Sequence, residues 1–214
     1  QQINTLNAIN GVLLLKEYER FYPNGSLASH IIGISGSQDE GLEGIEFNFN
    51  NVLKQQGDLV GSDIVLSIDR DIQAIAEREL KNTVMDEEAE SGSIVIMNSE
   101  TGDIISMANY PDFDLQKYRE YQRNELIKRM KNLAVMSSDE IGSSFKAFTI
   151  AILSELNLLD MDRIYDCKGS YEVPGGFIIK DTAVYGKIKF QDVVKYSSNV
   201  GMIEAAMTIP KRTY

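Results

Sequence analysis

Residues 91–111, SGSIVIMNSETGDIISMANYP, constrain the fold of this chain more than any other stretch. Two apolar, β-rich runs flank a polar turn that contains Gly102, which is typical of an antiparallel hairpin. The preceding run, residues 69–90, has apolar residues at helical spacing and begins with Asp69, a favourable N-cap. Strands and helices in this mixed order predict an α+β domain in which helices cover a sheet.

The rest of the chain gives further local predictions. Residues 1–60 are rich in Asn, Gly and Gln, whereas clear strand and helix patterns begin at about residue 62. This change predicts a small module followed by a larger domain. The predicted elements are an extended piece at 30–35, a strand at 62–68, a helix over 114–132, a buried helix at 143–156, short strands within 171–190, and two helices separated by an interruption within 191–209.

Composition excludes several function classes. The net charge of −11 argues against nucleic-acid binding, because phosphates would be repelled. His30 is the only histidine, so a Ser/His/Asp triad would have to use it as the base, which argues against such a triad. The single Cys167 permits no internal disulfide. No stretch reaches the ~20 apolar residues of a membrane span, and no signal-peptide pattern opens the chain. Asp160 opens a segment similar to the start of a calcium loop, but it lacks the Gly and the closing Glu, so no metal is expected.

Residues 137–156, SSDEIGSSFKAFTIAILSEL, contain a candidate catalytic pair. Ser143 stands three positions before Lys146, and residues three apart on a helix share a face. A serine becomes a nucleophile when a neighbouring base takes its proton, and a lysine whose pKa is lowered by burial can be that base. The structural alternative is that Ser143 is a helix N-cap and Lys146 a solvated side chain.

The helix that follows Ser143 is apolar nearly all round, which predicts a central, buried position. We therefore expect Phe145, Phe148, Ile152 and Leu153 to be mostly buried. A lysine early in a buried helix needs a functional reason, which favours the catalytic interpretation.

A second polar group, Ser197-Ser198-Asn199, interrupts two helical runs about fifty residues after Lys146. An S-x-N turn can present a hydroxyl and an amide to a shared cleft. The alternative is a helix break with capping side chains, since Ser and Asn favour caps. We expect Ser143, Lys146, Ser197 and Asn199 to converge in one cleft.

These elements, in this order, resemble the active-site motifs of class B penicillin-binding proteins. IGSSFKAF is similar to the nucleophile motif of that family, with Ile141 where proline is usual, and YSSNVGM is similar to its second motif. Three further segments fit the family in order. They are R-x-Y-P…G-x-x-G-x-E at 20–46, DIVLSIDRDIQ at 63–73 and GSIVIMNSETGDIISMANYPDFD at 92–114.

The resemblance implies a transpeptidase domain related to β-lactamases. In it, part of a pedestal module (1–60) precedes the N-terminal part of an incomplete, helix-covered antiparallel sheet domain (61–214). Ser143, Lys146 and Ser197 would be catalytic and Asn199 would bind substrate, with no cofactor. The reaction would cross-link peptidoglycan stem peptides through an acyl-serine, and β-lactams would acylate the same serine.

The resemblance also implies a single N-terminal membrane anchor, a catalytic domain on the outer face, and cell-wall or divisome membrane proteins as partners. SSNVG favours the cell-division branch. The third family motif, K-[ST]-G, does not occur in these 214 residues, so we expect a partial chain with weak or absent penicillin labelling by itself. The alternatives are an inert β-lactam sensor or scaffold of the same fold, or an unrelated soluble interaction module.

Overall fold

The computed structural model describes residues 20–37, 39–54, 61–138 and 140–210. The chain divides into two compact units, with the division between Ser138 and Asp139. This division differs from the domain boundary expected near residue 60, which stays a prediction. Residues 1–19 of the expected pedestal module lie outside the described residues.

In residues 20–138, leaving out 38 and 55–60, the first unit combines helices with one antiparallel hairpin. Its helices are α1 (Ser29–Ile32), α2 (Gly44–Asn48), α3 (Asn50–Leu53), α4 (Arg70–Asp86), α5 (Arg123–Met130) and α6 (Leu133–Met136). Its strands are β1 (Gly92–Met97) and β2 (Ile104–Tyr110). A 3₁₀ turn spans Tyr118–Glu120.

The hairpin and the N-cap of α4 are both confirmed. β1 and β2 pair antiparallel, with Gly92 opposite Tyr110 at one end and Met97 opposite Ile104 at the other. The Asp69 carboxylate accepts from the backbone N–H groups of the first turn of α4 at 3.0 and 2.9 Å, which satisfies two otherwise unpaired donors. A core between α4 and the hairpin consists of Ala76, Leu80, Val84 and Ala108.

Gln73 is a fully buried amide between α4 and β2. Its Oε1 accepts from Ser106 Oγ at 2.8 Å and from Met107 N at 2.9 Å, while its Nε2 donates to Met107 O at 3.0 Å. Nε2 also donates to Glu77 Oε1 at 2.8 Å. The same Glu77 oxygen accepts from the backbone N–H of Ala28 at 2.8 Å, so one network joins α4, β2 and the start of α1.

An ion pair between Arg20 and Glu46 joins the two ends of the R-x-Y-P…G-x-x-G-x-E segment. Arg20 holds the buried Glu46 carboxylate through Nε at 2.8 Å and Nη2 at 2.9 Å. Burial and the Glu46 charge raise the pKa of Tyr22 to about 12, and its hydroxyl accepts from the Ser35 N–H at 2.9 Å. A Cβ on Gly33, whose φ is 76°, would lie 1.8 Å from Glu43 O, so only glycine fits there.

Three local predictions need correction. Residues 62–68 form no strand, and Val65 is 94% exposed, because this run has no ladder to β2 and contacts it through single bonds such as Ser67 Oγ to Ile104 O at 2.7 Å. In the expected extended piece at 30–35, residues 30–32 instead lie in α1, and Ser35 pairs with Gly41 in an isolated bridge.

The expected helix at 114–132 is shorter than predicted. Only Arg123–Met130 is α-helical, because Leu115 and Phe113 are buried in a cluster that holds the preceding chain in a loop. The Asp114 N–H donates to Tyr121 Oη at 3.2 Å, which fixes that loop.

The second unit has two small antiparallel sheets and three helices among residues 140–210. A 3₁₀ turn (Gly142–Phe145) leads into α7 (Lys146–Glu155), and the later helices are α8 (Phe190–Lys195) and α9 (Asn199–Ala206). β3 (Ile164–Cys167) pairs with β6 (Gly186–Lys189), and β4 (Ser170–Glu172) pairs with β5 (Ile178–Lys180). Short strands at 171–190 and the helix–break–helix pattern at 191–209 are therefore confirmed, as is the α+β class.

The predicted burial of α7 is mostly wrong. Leu153 is 2% exposed and joins the core of this unit, but Phe145 and Phe148 are both 59% exposed and Ile152 is 47% exposed. Within residues 140–210, α9 packs against α7, and Leu153 lies on the covered side of α7, in the core with Phe190 and Met202. None of the helices in the described part of the chain is long and apolar enough to span a membrane.

Candidate active site

Ser143 lies in the 3₁₀ turn, and Lys146 is the first residue of α7. Gly142, with φ of 60°, turns the backbone into this segment, a conformation that glycine adopts without strain. Side chains at positions i and i+3 of a 3₁₀ turn lie nearly one above the other, which keeps Ser143 on the same side as Lys146. Ser143 is exposed, and neither the turn nor α7 has a side-chain cap, so the capping alternative for Ser143 does not hold.

Lys146 is the centre of the polar cluster. Its Nζ donates to Ser197 O at 2.5 Å, to Ser197 Oγ at 3.0 Å and to Asn199 Oδ1 at 2.7 Å. The structure thus brings together three of the four predicted site residues, from segments more than fifty residues apart. Within residues 140–210, Ser143 and Lys146 share no hydrogen bond in this state.

The three acceptors around Lys146 match the three N–H donors of an ammonium group. Burial lowers the pKa of Lys146 below its ordinary value, and the negative charge of Asp181 opposes that shift. A lowered pKa of Lys146 increases the fraction of the side chain that is the neutral amine at a given pH. The neutral amine has only two N–H donors and a free lone pair, which could receive the proton of Ser143.

The S-x-N turn has a specific backbone geometry. Ser197 has φ of 55°, in the left-handed region, just after α8 ends. This conformation lets both the carbonyl and the hydroxyl of Ser197 accept from Lys146. Ser198 points the other way, is 1% exposed, and caps α9 by accepting from Gly201 N at 3.0 Å. The predicted alternative of a capping side chain therefore holds for the middle residue of this motif, Ser198.

Asp181 is a polar residue of this cluster that sequence reasoning missed. Its Oδ1 accepts from the backbone N–H groups of Asn199 and Val200 at 2.5 and 3.1 Å, and its Oδ2 accepts from Ser198 Oγ at 2.7 Å. Asn199 Nδ2 also donates to Lys180 O at 2.8 Å. No local signature marks Asp181, which follows β5 in an ordinary polar stretch.

An open groove of ≈ 260 Å³ runs beside Lys146. Phe145, Thr149, Ile179 and Met202 line it, together with Asn199. A cation and an amide at one edge of a mostly apolar groove suit a ligand that has a polar reacting centre and apolar flanks. Among the described residues, no cluster of three or more His, Cys, Asp or Glu side chains could hold a metal ion.

An S-x-x-K motif brought beside an S-x-N turn on an α+β fold is typical of the class that contains penicillin-binding proteins and class A β-lactamases. The family described as "Penicillin binding protein transpeptidase domain" matches residues 92–214, more than half of the chain. The chain belongs to this family, as a class B penicillin-binding protein.

Curated relatives and solved structures agree with this assignment. The chain is 30% identical to the peptidoglycan D,D-transpeptidase FtsI of Buchnera aphidicola (Schizaphis graminum) over 93% of this chain and 38% of that protein. It is 28% identical to FtsI of Escherichia coli K12 over 94% of this chain and 37% of that protein. Penicillin-binding protein 3 of Mycobacterium tuberculosis, in its apo form, matches at a TM-score of 0.79 and 27% identity, over 91% of this chain and 44% of that chain. The chain thus spans little more than a third of the length of these curated relatives.

Proposed function

We propose that this chain contributes to the active site of a peptidoglycan D,D-transpeptidase that cross-links stem peptides through an acyl-serine intermediate. The observation that carries the proposal is the position of Lys146, one turn from an exposed serine and hydrogen-bonded to both outer residues of the S-x-N motif. The names of the relatives support the same function, as does the solved complex of Mycobacterium tuberculosis penicillin-binding protein 3 with ampicillin.

In the first half of the reaction, Ser143 Oγ attacks the carbonyl carbon of the penultimate D-alanine while Lys146 takes the hydroxyl proton. The proton passes through the Ser197 hydroxyl to the departing amine nitrogen as the C–N bond breaks. D-Alanine leaves, and an ester joins Ser143 to the stem peptide. Asn199 holds a substrate amide during this step.

In the second half, an amine from a neighbouring stem attacks the ester carbonyl. The new C–N bond forms, the amine loses a proton to Lys146, and Ser143 Oγ leaves and recovers a proton. The same serine would open the four-membered ring of a β-lactam and stay acylated.

The wider assignments follow from the family and are part of this proposal. Residues 1–60 belong to a pedestal module and 61–214 to the transpeptidase domain. A K-[ST]-G strand of the full-length protein would complete the cleft. The names of the FtsI relatives favour a role in cell division. The resemblance to class B penicillin-binding proteins implies a position at the outer face of the cytoplasmic membrane, a single N-terminal anchor and divisome partners.

Fluorescent penicillin labelling of the full-length protein tests the nucleophile. Ser143→Ala should abolish the labelling, while Ser144→Ala, at a neighbouring exposed serine, should leave it mostly intact. Wild-type rates of labelling in the Ser143→Ala variant would refute the assignment.

The base is tested in the same assay. Lys146→Met should lower the acylation rate by roughly 10²- to 10⁴-fold, the usual contribution of a positioned base. Lys195→Met, at an exposed lysine of α8, is the matched control and should label normally. Turnover of a D-Ala-D-Ala thioester then separates a transpeptidase from an inert sensor that only acylates.

A further inference from the structure

We propose that Asp181 is a positioning residue for this site, and that its carboxylate holds the Ser197–Asn199 turn in the conformation that presents three acceptors to Lys146. The proposal rests on the transpeptidase function and adds a residue that lies outside the two motifs. Asp181 touches none of the reacting atoms, so its action passes through the turn.

The carboxylate of Asp181 uses both oxygens on the start of α9. Oδ1 accepts from the backbone N–H groups of Asn199 and Val200, and Oδ2 accepts from Ser198 Oγ. Ser198 and Val200 are each 1% exposed, so water does not compete effectively for these bonds. Each of the three consecutive residues 198–200 is therefore tied to one side chain.

The position of Asp181 is itself fixed. Its backbone N–H donates to Gly169 O at 2.9 Å, which anchors it beside the β4–β5 pair. The preceding carbonyl, of Lys180, accepts from Asn199 Nδ2 at 2.8 Å. The amide of Asn199 is thereby oriented with its oxygen towards Lys146, because its nitrogen is held by Lys180 O.

A carboxylate suits this position better than an amide. It offers two acceptor oxygens to three donors, and its charge is favourable at a helix N-terminus. Asparagine has only one acceptor oxygen. If that oxygen kept the two backbone N–H groups, its Nδ2 would face Ser198 Oγ, and the charge-assisted bond from the Ser198 hydroxyl to a carboxylate would be lost. Among the described residues, Asp181 is also the charged group whose field acts on Lys146, where it raises the pKa against the effect of burial.

Two measurements on the full-length protein test this role. The first is the rate constant of acylation by a fluorescent penicillin as a function of pH. The second is the pH dependence of Lys146 acetylation by trace acetic anhydride, read by mass spectrometry, which needs no enzymatic activity. The variants are Asp181→Asn, Asp181→Glu and the control Asp162→Asn, which neutralises an exposed carboxylate paired with Lys189 in the same unit.

Asp181→Asn should slow acylation by roughly 10- to 100-fold, because a displacement of about 1 Å at a site costs up to ~10²-fold. It should also move the Lys146 reactivity profile to lower pH, because a negative charge that favours the ammonium form is removed. Asp181→Glu keeps the charge and misplaces it, so the rate should fall with little movement of the profile. Asp162→Asn should change neither.

Each outcome decides the proposal. An Asp181→Asn variant with a wild-type acylation rate and an unmoved Lys146 profile would overturn it. A wild type that never labels defeats the transpeptidase function, but the acetylation profile still tests Asp181, since an unmoved profile in Asp181→Asn counts against the contact. If Asp181→Asn fails to fold, Ser198→Ala removes one arm of the network and should slow acylation severalfold with an unmoved profile. An unchanged rate in that variant would contradict the positioning role.

Discussion

Replacement of Gln73 by methionine should destabilise the first unit by about 3–5 kcal/mol. Methionine has nearly the volume of glutamine, so no large cavity term is added. Three groups lose their partner: the Ser106 hydroxyl and the N–H and C=O of Met107. Each buried unpaired group costs about 1–3 kcal/mol. Ser106 is fully buried and takes the upper part of that range, while Met107 is half-buried and its groups can be partly hydrated.

Thermal unfolding and amide hydrogen exchange test this number. For a chain of this size, 3–5 kcal/mol corresponds to a fall in Tm of roughly 6–20 °C. The exchange of the β2 amides should accelerate at the same time. Asn82→Met replaces an exposed amide on the same helix and should stay within about 0.5 kcal/mol of wild type. A Gln73→Met variant within about 1 kcal/mol of wild type would show that water or a repacked side chain satisfies these groups, and the reasoning would fail.

Two further predictions test the burial of one side chain in each unit, Glu77 in the first and Leu153 in the second. Burial raises the pKa of Glu77 above its ordinary value of 4.5, so wild-type stability should fall as pH rises from there through the folded pKa. The Glu77→Gln variant has no carboxyl group to ionise at this position. In urea denaturation, its free energy of unfolding minus that of wild type should therefore increase as pH rises between these two pKa values. A difference that does not change with pH would contradict the burial argument. Leu153→Ala should cost about 2–5 kcal/mol and Ile152→Ala less than about 1 kcal/mol, because Leu153 is 2% exposed and Ile152 47%. Equal losses by urea denaturation would refute that distinction.

Features set by short-range chemistry were predictable from the sequence. The hairpin turn, the Asp69 cap and the break between α8 and α9 each depend on neighbouring residues, and all three are confirmed. The failures involve distant partners. Residues 62–68 have strand-forming side chains but no ladder, and α7 is apolar nearly all round but has packing on one side among residues 140–210. Composition indicates what a segment could bury, and only the tertiary arrangement decides what covers it.

The candidate site divides in the same way. Ser143, Lys146, Ser197 and Asn199 stand in recognisable motifs, so type and spacing singled them out. Asp181 could not be found, because a single aspartate seventeen residues before Ser198 has no local pattern and acts only where the chain folds back. The capping alternative for the S-x-N turn also holds in part, since Ser198 caps α9.

The left-handed backbone of Ser197 has an implication for sequence variation. A residue with a Cβ costs roughly 1–2 kcal/mol more than glycine in this conformation. Selection for folding alone would therefore favour glycine or asparagine at position 197, whereas Asp181 and Ser198 would be kept for the helix they cap. In descendants that lose the chemistry, position 197 should drift first while its neighbours persist. A serine retained there despite the cost is a mark of selection on the hydroxyl.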